Sequence, residues 1–236
     1  MSSQRHSLLI VDGSASYLFY MSTMFRKLKY TVRTATTAEL ALQAMNDSLP
    51  ALVITEISLP GMSGMAFLQE MKQNPLLKGI PVIIHTSDCT QSTREKCMSL
   101  ACVGYFNKPA EPDELYRAIQ KATESTPRSM IRIETSLKVE VGEASGGGKR
   151  VETVTSLSEG GLYIQTQKPD AVNTILPLTI FFPNRQVTVR AEVHYSSVKV
   201  GGQHKQPGMG LQFININLGD KIFIRGFIKD QISKGI

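Results

Sequence analysis

Thr126-Pro127-Arg128-Ser129-Met130-Ile131-Arg132 divides the chain into two textures. Ahead of it, short apolar runs alternate with stretches of helical length as far as residue 122. Behind it, apolar and polar residues alternate with period two, and the chain closes on one apolar stretch of helical length. Residues 122–127 are polar, short and end in proline, the composition of a linker. The two arginines, four apart and just ahead of the first alternating run, offer two planar five-donor forks. Such forks suit phosphate oxygens and the acceptor edge of guanine.

Length agrees with a two-part reading, since 236 residues allow one or two domains and either half is long enough for its own core. No apolar run approaches the ~20 residues of a membrane helix, and the first residues lead straight into a short apolar strand, so a cytoplasmic protein without membrane insertion is expected. The formal charge is +6, with 12 basic and 10 acidic side chains in residues 1–122 and 14 and 10 in residues 123–236. This mild excess shows no basic stripe, which argues against direct nucleic-acid binding and suits a single anionic ligand. Cys89, Cys97 and Cys102 are odd in number and lack zinc or disulfide spacing, so they read as ordinary thiols.

In the first half, Leu8-Leu9-Ile10-Val11 and the runs at 51–55 and 81–85 are continuous and apolar, as strands buried on both faces are. Further strands are expected at 31–35 and 103–106. Helices are expected from 16, 37, 64, 92 and 112, the second opened by a capping box of Thr36 and Glu39. Five strands alternating with five helices imply an α/β domain, a doubly wound parallel sheet over residues 6–122. Its site belongs at the carboxyl ends of the strands, which are marked by Asp12, Glu56, Thr86 and Lys108.

The pattern Val11-Asp12, Glu56-(x3)-Pro60-Gly61, Thr86-Ser87 and Lys108-Pro109 resembles the receiver domain of bacterial two-component response regulators. The resemblance implies a phosphoacceptor aspartate after the third strand, acids after the first strand that hold magnesium, and a Thr and Lys that contact the phosphoryl group. Thr86 and Lys108 match, and Tyr105 matches the aromatic residue whose swing reports phosphorylation. Two positions depart from the pattern: Glu56 replaces the acceptor aspartate and Gly13 replaces the second acid. Losing one carboxylate weakens a magnesium site that needs hard oxygen ligands, and the extra methylene of Glu56 spoils in-line phosphoryl transfer. Magnesium is therefore not expected, and the domain reads as a pseudo-receiver. It either serves as a docking or homodimerisation scaffold, or is held by Glu56 in an active-like state.

In the second half, alternating runs at 137–141, 151–156, 162–166, 176–182, 186–195 and 209–214 predict a small antiparallel barrel, capped by a helix over 218–232 with Ile222, Phe223, Phe227 and Ile228 on or near one face. Residues 143–150 read as a hairpin loop and not as a Walker phosphate loop, because Arg150 follows the lysine and no helix comes next. Arg128-(x3)-Arg132, the run Ser156-Leu157-Ser158-Glu159-Gly160-Gly161, and Gly208-Met209-Gly210-Leu211-Gln212-Phe213 together resemble the PilZ domain, a six-stranded barrel, here over residues 128–233 after a linker at 123–127. That resemblance implies binding of cyclic di-GMP. Arg128 and Arg132 would clamp the ligand, Ser158 would hydrogen-bond it, and Ser156, Gly160 and Gly161 would complete the pocket. The family has Asp or Asn where this chain has Ser156. Losing one charge-assisted bond there costs ~1.5–3 kcal/mol of binding.

The expected function is that of a non-enzymatic signalling effector. It would bind cyclic di-GMP, order the arginine segment and relay this to a protein partner. A phosphorylation-driven regulator and a ligand-free interaction scaffold are the alternatives.

Overall fold

A computed structural model describes residues 7–128, 130–143, 148–198 and 207–234. The chain forms two compact units, Met1–Ser129 with Ser233–Ile236, and Met130–Ile232.

The first unit runs β1 (Ser7–Val11), α1 (Ala15–Lys27), β2 (Thr31–Ala35), α2 (Ala38–Asp47), β3 (Leu52–Thr55), α3 (Gly64–Gln73), β4 (Val82–Thr86), α4 (Gln91–Ser99), β5 (Gly104–Asn107) and α5 (Pro112–Thr123). The strands pair in parallel in the order β2-β1-β3-β4-β5. Every residue of β3 and β4 is buried, which is why their sequences are apolar without alternation. The order reverses direction between β1 and β3, so the carboxyl ends of these two strands flank the crevice that such sheets use for ligands.

The helix starts follow local hydrogen-bonding chemistry. Ser14 Oγ accepts from the Tyr17 amide and Ser63 Oγ from the Ala66 amide. The expected capping box of Thr36 and Glu39 does not form. Thr37, not Thr36, is the N-cap and accepts from the Leu40 amide, while Glu39 Oε1 accepts from the Met62 amide at 2.9 Å. Glu39 therefore ties the start of α2 to the loop after β3.

The second unit contains β6 (Arg132–Gly142), β7 (Lys149–Ser158), β8 (Gly161–Gln165), β9 (Ile175–Phe182), β10 (Arg185–Ser197), β11 (Gly208–Ile214) and all but the last residue of α6 (Leu218–Ser233). The strands close as a six-stranded antiparallel barrel in the order β10-β11-β8-β7-β6-β9, with β9 pairing back to β10. Val139, Val141, Val154, Ile164, Ile180 and Val193 fill its interior. The α/β and all-β classes, the six strands and the C-terminal helix are those expected from the sequence.

Two local expectations change. Arg132 is the first residue of β6 rather than a residue ahead of it. In α6 the buried stripe is Ile224, Ile228 and Ile232, spaced four apart, while Ile222 is 58% exposed. Phe223 and Phe227 instead pack edge-on against Phe182, with ring centroids 5.1 and 4.9 Å away. The middle of the expected 143–150 loop, residues 144–147, lies outside the described residues.

Candidate functional sites

At the carboxyl ends of β1, β3, β4 and β5 the chain brings together Asp12, Glu56, Thr86 and Lys108, as their places in the sequence suggested. All but Lys108 are almost fully buried. Lys108 Nζ bridges the two carboxylates, bonding Asp12 Oδ2 and lying 2.7 Å from Glu56 Oε2. The Thr86 hydroxyl donates to Glu56 Oε1. The Ile57 and Ser58 amides donate to the same oxygen at 2.7 and 3.3 Å, and the Ser87 amide donates to Oε2 at 3.3 Å. Burial raises the pKa of the Glu56 carboxyl, but hydrogen bonds from Lys108 and Thr86 and the Lys108 charge outweigh it and leave the pKa lowered. Asp12 Oδ1 accepts from the Ser14 amide at 2.9 Å.

The receiver resemblance implies a magnesium ion here, and the donor set does not fit one. The Lys108 ammonium lies between the two carboxylates, where a cation would be shared, Gly13 offers no ligand, and Glu56 is saturated by five donors. Among the described residues no group of three or more His, Cys, Asp or Glu is arranged to hold a metal.

Tyr105, on β5, is buried and its hydroxyl donates to the Asp88 carbonyl at 2.5 Å. Sequence reasoning missed two neighbours of this pocket. Lys108 Nζ lies 4.2 Å over the Tyr17 ring, and the Tyr17 hydroxyl is 3.2 Å from His85 Nδ1. Burial, aided by the Lys108 charge, lowers the His85 pKa to about 4. The signal was present in Val82-Ile83-Ile84-His85-Thr86, where one imidazole interrupts a wholly buried strand.

The second group lies on β6, β7 and β8. Pairing register sets Arg132 opposite Ser158 and Ser158 opposite Gly161, so these three positions form one row across adjacent strands. Two residues along, the next row on the same face holds Glu134, Ser156 and Tyr163. Ser158 is buried, and its hydroxyl donates to the Gly161 carbonyl at 3.0 Å, holding the β7–β8 turn. A Cβ on Gly161 would lie 2.2 Å from the Leu211 carbonyl oxygen, so glycine lets β8 approach β11 here. A Cβ on Gly160 would lie 2.8 Å from Met130 Sδ. Glu159 receives Arg225 Nε and Nη2 of α6 at 2.9 and 2.6 Å, with Lys221 Nζ at 3.4 Å, a bidentate tie from turn to helix.

Arg128 belongs to the first compact unit and is exposed. Its amide donates to Gln120 Oε1 at 3.1 Å, while Gln120 Nε2 donates to the Tyr30 hydroxyl at 2.8 Å. Gln120 is buried, and sequence reading passed over it. Its signal was an amide among Leu115, Tyr116 and Ile119 on the apolar face of α5.

Comparison with known proteins separates the same two segments. Residues 8–120 match the model of the response regulator receiver domain, and residues 124–230 match that of the PilZ domain. The two-component response regulator-like protein PRR37 of Oryza sativa subsp. indica is 30% identical over 148 residues, 58% of this chain, which spans 20% of that relative's length. The two-component response regulator ORR3 of Oryza sativa subsp. japonica is 28% identical over 111 residues, 47% of this chain and 85% of the relative. Among solved structures, the signal receiver domain of an HD domain-containing protein from Pseudomonas fluorescens Pf-5 is 28% identical, covers 51% of this chain and 96% of its own, and has a TM-score of 0.49. The chemotaxis response regulator CheY4 of Vibrio cholerae is 22% identical, covers 50% and 99%, and has a TM-score of 0.47.

Proposed function

Because the chain is a response regulator receiver domain followed by a PilZ domain, we propose that it is a non-enzymatic signalling effector that binds cyclic di-GMP and relays that binding to a protein partner. The observation that carries this reading is the row of Arg132, Ser158 and Gly161 across three adjacent barrel strands, inside the segment matched by the PilZ model. Arg128 and Arg132 supply the forks for phosphate and guanine acceptors. Ser156, Ser158, Gly160 and Gly161 would complete the ligand site from the barrel strands. Calorimetric titration with cyclic di-GMP tests it: the chain should bind saturably, and the Arg128→Ala/Arg132→Ala variant should lose binding while melting at the same temperature. Equal binding by the variant would defeat the assignment.

The receiver pocket supports a role without phosphoryl transfer or magnesium. Glu56 occupies the acceptor position and is gripped by Thr86 and Lys108, the two residues that receivers direct at a phosphoryl group. With Tyr105 buried, this favours a domain held in one active-like state and used for homodimerisation or docking. Glu56→Ala should then change self-association in sedimentation velocity; an unchanged distribution would remove this second reading.

A further inference from the structure

The pocket lacks a carboxylate at position 156. A carboxylate accepts two hydrogen bonds side by side, matching the paired N1–H and N2–H donors of guanine, whereas a serine hydroxyl reaches only one and more weakly. The β6–β7 register supplies one from the neighbouring strand. Glu134 is directly opposite Ser156 and two residues after Arg132, so it shares a face with the row of Arg132 and Ser158. Directly paired positions have Cβ atoms about 4.5–5.5 Å apart, within the reach of a glutamate side chain. Glu134 is exposed and Ser156 is small and half-buried, so nothing from Ser156 itself fills the space a longer residue would take. Across the other side of Ser156 is Tyr163, whose ring stands 6.5 Å from that of Tyr195 on β10, giving the position an aromatic flank.

We propose that Glu134 replaces the missing acid at position 156 and reads the Watson–Crick edge of a guanine, making it the base-specificity residue of this barrel. The proposal rests on the cyclic di-GMP reading above. The arginines contact groups that any cyclic dinucleotide carries, including its two phosphates, while Glu134 would contact donors that guanine has and adenine lacks. Moving the acid from β7 to β6 keeps the charge in the pocket and explains how Ser156 is tolerated.

The test is calorimetric titration of the full chain with cyclic di-GMP and with cyclic di-AMP. Glu134→Ala should weaken cyclic di-GMP binding about 10- to 100-fold and change cyclic di-AMP binding less than about threefold. Adding Ser156→Asp to Glu134→Ala should restore cyclic di-GMP affinity to within about threefold of the original. Unchanged cyclic di-GMP affinity in Glu134→Ala, an equal loss for both nucleotides, or no recovery in the double variant would each overturn the proposal while leaving the function standing. Absence of cyclic di-GMP binding by the unaltered chain would overturn both.

Discussion

Lys108 bridges two buried carboxylates, and its removal leaves both without their shared partner. Lys108→Ala should therefore cost roughly 3–5 kcal/mol, read as a lower urea midpoint for the first domain. Beside it, His85 is buried and its pKa is lowered from 6.5 to about 4. A lowered folded-state pKa means that the unfolded chain binds the proton first as pH falls, so stability drops through this window. Between pH 7.5 and 5 the loss is about 2 kcal/mol, and His85→Gln should flatten that part of the stability–pH curve. A slope unchanged by the substitution would refute it. Glu56, whose pKa is also lowered, stabilises the fold above the usual carboxylate pKa and loses that contribution only in stronger acid. The two groups thus act in successive windows, histidine first.

At the scale of elements, the β7–β8 turn is fixed from three sides: the Ser158 hydroxyl, the β11 backbone at Gly161, and the tie from Glu159 to α6. Gly161→Ala would force β8 and β11 apart and should destabilise the barrel by about 3 kcal/mol in chemical denaturation. Gln120 does comparable work at the end of α5. Gln120→Ala should expose the Arg128 amide to fast hydrogen exchange, and exchange as slow as in the unaltered chain would show that the bond is not formed. What the sequence disclosed follows from period and from strand ends. Continuous apolar runs marked β1, β3 and β4, alternation marked the barrel strands, and Asp12, Glu56, Thr86 and Lys108 stood at positions where a parallel sheet gathers its site. Contacts made by register or by long side chains left no such trace. Glu134 sits opposite Ser156 only because β6 starts at Arg132 and carries a register shift between Glu134 and Leu137, and Glu39 reaches Met62 across 23 residues of sequence.

For the molecule as a whole, the proposed reading has the receiver domain act without phosphoryl transfer. Incubation with a small phosphodonor and magnesium should leave the intact mass unchanged; a gain of one phosphate would overturn the pseudo-receiver reading in favour of a phosphorylation-driven regulator. The two domains differ in another respect, the place of their last strand. In the first, β5 ends at Asn107 on an edge of the sheet; in the second, β11 is inserted between β10 and β8. A chain emerging from the ribosome has every element of the receiver by Thr123, but the barrel stays open until Ile214 arrives, leaving β8 and β10 with unpaired edges. At ~5–20 residues per second that interval lasts roughly 5–20 s. During it a finished receiver is tethered to a half-built sheet, so the barrel's vulnerability to mispairing is a matter of timing during synthesis rather than of its final stability.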